Sequence, residues 1–229
     1  MEYKALVSSA RKTFNAGRTK DVKFRIKQLK GLVQMYKENE ALFLEALKKD
    51  LRKPKQESIV SETDFCINDA LGMIYEVEEW SKPVNVKRPP VNMMDGCMIK
   101  PEPLGVALVI GAWNYPLNLT MGPVTGAIAA GNCVIIKPSE LSPNTANAIM
   151  QLLPKYVDPE CYKVVCGGVP ETTELLKVSC YKLLQTFTKC YNIDLFMLRF
   201  LYFNLFLLLF KHRNGLITYF TLVAPLLEK

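Results

Sequence analysis

The sequence predicts an α/β fold: amphipathic helices and a hairpin, then a doubly wound parallel sheet. Three observations predict it. Residues 104–111 (LGVALVIG) and 133–139 (CVIIKPS) are continuous apolar runs, as strands buried on both faces require. Helix-length segments alternate with such runs up to residue 177, in the β-α-β-α-β-α order of a parallel sheet. The composition then breaks at Lys177/Val178: four of the 11 Phe precede it and seven follow, so the last 52 residues read as a separate hydrophobic tail. With 229 residues, 49% apolar and 22% charged, the chain can bury a core and is not intrinsically disordered.

Apolar positions at Val22, Ile26, Leu29, Val33 and Tyr36, then Phe43 and Leu47, predict an amphipathic helix over 22–49. Ile67, Leu71, Ile74 and Trp80 predict another over 60–80. Together these make residues 1–83 an N-terminal helical region. Over 84–101, Val84 and Val86 precede Pro89-Pro90, and Asp95-Gly96 precedes Cys97, Met98 and Ile99; two short extended runs around a turn predict a hairpin. Residues 102–177 form the sheet-bearing part. A strand at 104–111 leads to a helix at 116–130, which stops at Gly131-Asn132. After the 133–139 strand, Ser142 is placed to cap a helix from Pro143 to about Lys155. YKVVCGG (162–168) is a third strand and loop, and Pro170 opens a last helix.

Charge and cysteines narrow the function. The net charge is +7, but residues 101–177 carry four Lys+Arg against six Asp+Glu, and no dense basic run interleaves with aromatics. Nucleic acid is therefore not an expected partner. The seven cysteines lack any CxxC spacing and the only histidine is His212, so neither a zinc site nor a disulfide framework is expected. Reduced thiols and the lack of an apolar signal segment predict a cytoplasmic protein. Residues 195–210 (LFMLRFLYFNLFLLLF) are short for a membrane span and contain Arg199 and Asn204, which leaves membrane association by the tail as the alternative.

Ligands of open parallel sheets bind at the carboxyl ends of the strands. Those ends are Gly111-Ala112-Trp113-Asn114-Tyr115-Pro116, Lys137-Pro138-Ser139-Glu140 and Gly167-Gly168-Val169-Pro170. There is no GxGxxG after the first strand, so the common dinucleotide fingerprint is absent. The segments PLGVALVIGAWNYPLNLTMGP, GAIAAGNCVIIKPSELSPNTA and GGVPETTELLK, in this order and spacing, resemble the aldehyde dehydrogenase superfamily, most of all its class 3 branch, which includes fatty aldehyde dehydrogenases. The resemblance runs from about Lys4 to Lys177, well under half of a complete family member.

The resemblance implies that the sheet is an incomplete Rossmann-like, NAD(P)-binding domain, and that the family oxidises aldehydes to carboxylic acids with NAD or NADP. The substrates would be medium- to long-chain or aromatic aldehydes. In the family a cysteine thiolate attacks the carbonyl, the dinucleotide takes two electrons, and water activated by a glutamate releases the acid. The resemblance makes Asn114 the side-chain donor of the oxyanion hole, a neutral amide whose loss costs on the order of 2.7–4 kcal/mol. The rival reading is that Asn114 caps the following helix. Lys137 and Glu140 match the pair that holds the adenosine ribose, an ammonium donating and a carboxylate accepting; the rival is an ordinary surface ion pair near a helix start. Ile110, Ala112 and Trp113 fall where the family lines the cofactor cleft, against plain core packing as the rival. Gly168 is placed near the adenine.

The family's later segments, a glycine-rich phosphate turn, LELGGK with the general base and GQTC with the nucleophile, have no match after residue 177. Cys180 (VSCYK) and Cys190 (TKCYN) do not resemble the nucleophile motif. The expectation is a chain truncated before the catalytic cysteine and inactive as written. Two alternatives accompany it. One is a non-catalytic fragment pairing with intact subunits through the hairpin, the family's oligomerisation element, as in a homodimer. The other is a readthrough product, because Val178-Ser179 is what a splice-donor consensus spells after a lysine codon.

Overall fold

The computed structural model describes residues 3–87, 96–178 and 181–184. Four N-terminal helices, α1 (Tyr3–Asn15), α2 (Val22–Glu38), α3 (Glu40–Leu51) and the short α4 (Lys55–Ser58), lead through a π-helical turn (Ile59–Thr63) into α5 (Asp64–Trp80). Strands β1 (Val84–Asn85) and β2 (Met98–Ile99) pair antiparallel, Val84 opposite Ile99, as the predicted hairpin. Its Pro89-Pro90 and Asp95 lie outside the described residues, as does the tail from 185 onward.

The parallel sheet follows as β3 (Val106–Ile110), α6 (Asn118–Ala129), β4 (Cys133–Lys137), α7 (Pro143–Tyr156), β5 (Tyr162–Val164), α8 (Val169–Lys177) and β6 (Tyr181–Leu184). The strand order is β5-β4-β3-β6, all parallel. The chain moves outward from β3 to β4 and β5, then returns through α8 to the other side of β3. That reversal is the topological switch point at which open α/β sheets bind ligands. The composition break at 177 and the edge of the sheet do not coincide, because β6 lies past the break and pairs with Ala107–Ile110 of β3.

The apolar runs form the sheet's interior. Every residue of β4 is buried, and all of β3 except the half-buried Ile110. Helix α6 is buried along its whole length, so it lacks a polar face. It is held between β3, β4 and the pair α2 and α5, which contribute Leu29, Leu32, Tyr36, Cys66 and Met73 to the same core. Gly131, at φ +89°, ends α6 in the left-handed region, as the Gly-Asn signal predicts.

Two local expectations change. The predicted 22–49 helix breaks at Asn39, whose side-chain amide donates to the Met35 carbonyl (3.0 Å) and to the Tyr156 hydroxyl (2.9 Å). Side-chain bonding to the backbone competes with continuing the helix. Ser142 precedes α7 but does not cap it. Asp50 does so from the end of α3, accepting from the amides of Asn144 (3.0 Å) and Thr145 (2.8 Å). The Ser142 hydroxyl donates instead to the Trp113 carbonyl (3.1 Å).

Candidate functional site

A cleft of about 440 Å³ opens at the carboxyl ends of β3 and β4 and runs along α8. The parallel register sets Ile110 beside Lys137 at its floor. Of the seven site residues read from the sequence, five line it: Ile110, Ala112, Trp113, Lys137 and Glu140. Trp113 is 52% exposed, so it is a wall of the cleft and not a core residue. Gly168 borders the cleft next to Val169, which does line it. Its amide is already committed, donating to the Glu171 carboxylate at 2.7 Å.

Lys137 is buried, its side chain 3% exposed, and its ammonium pairs with the carboxylate of Glu140, which is 42% exposed at the rim. The two do form an ion pair, but with the ammonium buried it is not an ordinary surface pair, and it faces the cleft. The hydrogen bond from Lys137 holds the Glu140 carboxyl below the usual carboxylate range. At neutral pH the cleft thus presents an anion on its lip, paired with the Lys137 side chain on its floor.

Backbone crowding shapes the start of the loop after β3. A Cβ on Gly111 would lie 1.9 Å from Thr120 Oγ1 and 2.9 Å from its Cβ, so only glycine lets the strand end approach α6 this closely. Asn114 follows in the bend, half-buried, and its side-chain amide has no hydrogen-bond partner among the described residues. It does not cap α6. That task falls to Glu62, whose Oε2 accepts from the amides of Leu117 (3.1 Å) and Asn118 (2.9 Å). Glu62 is fully buried and pairs with Lys53. Burial pushes its carboxyl upward, opposed by Lys53 and the two amides. Nothing in the sequence marks either residue as part of the site. They are nine apart, on a loop and a π-turn, and carry no motif.

The sequence profile of the Aldehyde dehydrogenase family matches residues 1–180. The chain belongs to the aldehyde dehydrogenase family. A dimeric NADP-preferring aldehyde dehydrogenase from dog (Canis lupus familiaris) is 46% identical over 172 residues, covering 75% of this chain and 38% of the dog enzyme. Aldehyde dehydrogenase family 3 member A2 from Mus musculus is 46% identical over 167 residues, covering 73% of this chain and 34% of the mouse protein. Among solved structures, the substrate-bound state of Staphylococcus aureus AldH superposes with a TM-score of 0.74 at 38% identity, over 76% of this chain and 38% of that one. This chain thus spans well under half the length of the aldehyde dehydrogenases it matches.

The described cysteines of this aldehyde dehydrogenase chain are poorly placed for nucleophilic work. Cys66 is buried among helices, and burial pushes its thiol far up. Cys133 and Cys161 are buried at the amino ends of β4 and β5, the edge of the sheet away from the cleft. A shared hydrogen bond with Cys161, together with burial, keeps the Cys133 thiol protonated. Cys166 is exposed, yet partial desolvation outweighs the pull of Lys137 and raises its thiol above the ordinary value. Cys180 and Cys190 lie outside the described residues. Among the described residues no group of three or more His, Cys, Asp or Glu could hold a metal, and no helix is long and apolar enough to cross a membrane.

Proposed function

We propose that this chain carries the adenosine side of an NAD or NADP site together with the oxyanion amide of an aldehyde dehydrogenase. The observation that carries the proposal is the cleft at the switch point, where Lys137, Glu140, Ile110, Ala112 and Trp113 converge one residue from Asn114. The donor set suits a vicinal diol: the buried Lys137 ammonium donates to one hydroxyl and the Glu140 carboxylate accepts from the other. Trp113 and Ile110 offer apolar surface to the nucleotide's flat parts. A bound dinucleotide supplies the two-electron oxidant of aldehyde oxidation. Asn114 supplies an N–H that makes no hydrogen bond among the described residues and can therefore meet a developing alkoxide.

The same reading assigns this 229-residue chain, taken alone, no turnover, because none of its described cysteines lines the cleft. Purified chain incubated with NAD and an aliphatic aldehyde should form no NADH above blank, while in the Trp80→Phe chain NAD quenches Trp113 fluorescence saturably. A thiol-dependent rate of NADH formation would contradict the first half, and unquenched Trp113 the second.

A second reading is favoured by the hairpin, where Val84 (62%), Val86 (40%) and Met98 (55%) stand exposed. An apolar edge of this kind pairs readily with another chain. We propose that it pairs with a second aldehyde dehydrogenase subunit. Co-expression with an intact class 3 enzyme should then yield a mixed complex on affinity purification, lost in Val84→Lys/Met98→Lys. Recovery of the intact enzyme alone would contradict it.

A further inference from the structure

Asn114 is worth little as an oxyanion donor unless its loop is rigid, because a donor helps only where it is already aimed before charge develops. Its amide is not tied by any hydrogen bond of its own among the described residues, so the aim must come from its neighbours. Trp113, before it, is fixed through its carbonyl by Ser142. After it, Lys53 Nζ lies 3.7 Å from the centre of the Tyr115 ring. Glu62 takes the amides of Leu117 and Asn118, and the Asn118 side chain donates to the Ser61 carbonyl (3.0 Å). Lys53 and Glu62 bind each other, with side chains 8% and 0% exposed.

We propose that the buried Lys53–Glu62 pair is a positioning element that fixes the Asn114 loop, Lys53 against the Tyr115 ring and Glu62 on the first amides of α6. The chemistry suits the task. An ammonium over an aromatic face restrains the ring without a directional bond. A carboxylate at a helix N-terminus is held by two N–H groups and by the helix dipole. A buried pair costs desolvation, and its partners must return that cost. Here the return is made both to the loop, through Tyr115, and to the first turn of α6. The π-turn at Ile59–Thr63 is what places Glu62 here, and such turns concentrate at functional sites. The inference rests on the assignment of Asn114 as oxyanion donor for its purpose, but its geometry does not.

The test uses the full chain with Trp80→Phe, leaving Trp113 as the only tryptophan. In this background Glu62→Gln and Lys53→Met should each lower Trp113 anisotropy and increase its quenching by acrylamide, at temperatures where far-UV circular dichroism is unchanged. Lys53→Arg, which keeps a cation over Tyr115 and a partner for Glu62, should restore both signals. If the single variants unfold, Lys53→Met/Glu62→Gln removes both buried charges; it should fold and still show the loosened Trp113. Folded variants with unchanged Trp113 signals would overturn the proposal. So would a double variant that regains both fold and parental Trp113 behaviour, since the pair would then serve stability alone. No cofactor or aldehyde enters the measurement, so its failure is separable from failure of the Asn114 assignment.

Discussion

Arg25→Ala is expected to destabilise the chain by about 3–4 kcal/mol and lower Tm by roughly 6–16 °C in a calorimetric scan. Arg25 is 5% exposed and acts as a four-way tie. Its guanidinium donates to the carbonyls of Thr19 (2.8 Å), Lys20 (2.9 Å) and Ala129 (3.3 Å) and to the Ser81 hydroxyl (3.4 Å). These join α2 to the loop before it, to the end of α5 and to the end of α6. Removing it orphans several buried acceptors at once. Gly131 is part of the same joint, because a Cβ there would meet Arg25 Nε at 2.7 Å. Gly131→Ala should therefore be severe in the wild type but cost only about 1–2 kcal/mol, its left-handed backbone term, once Arg25 is alanine. Additive losses in that double-mutant cycle would show that the two do not share a joint.

Lys137→Met is expected to weaken ADP-ribose binding by about 10- to 150-fold, the value of one charge-assisted hydrogen bond, with little change in Tm. Methionine fills the volume of the lysine stem. Glu140, already at the rim, can return to water when its partner is lost. The substitution also has a pH signature. With the folded Glu140 carboxyl depressed by Lys137, its contribution to stability is present above the unfolded glutamate value and is lost as pH falls through the lower folded one. In Lys137→Met the Glu140 carboxyl should titrate higher in a carboxyl-carbon NMR titration. Unaltered ADP-ribose affinity in Lys137→Met would remove the cleft from cofactor binding altogether.

The sheet was legible because its strands are buried on both faces and so write themselves as unbroken apolar runs, LGVALVIG and CVIIK. The strand end showed Lys137 and Glu140 only as a cation and an anion; their match to a ribose-holding pair came from the resemblance of the KPSE segment to the family. What could not be read is what depends on distant residues meeting. The spacing Tyr36 to Phe43 continues the apolar face across Asn39, so nothing local marks the break that the Asn39 side chain makes. Asp50 capping α7 and Glu62 capping α6 join positions 94 and 55 or more residues apart, where Ser142 and Asn114 were the local candidates. Strand β6 is four residues inside a segment whose composition set it apart, and only its pairing with β3 reveals it.

The most direct test of the central claim is a titration of ADP-ribose into the isotopically labelled chain, followed by backbone amide NMR. The account predicts saturable shifts concentrated at residues 110–113, 137–141 and 172–176, the walls of the cleft at the switch point, and their loss in Lys137→Met. Absent shifts, or shifts centred away from these three segments, would contradict it.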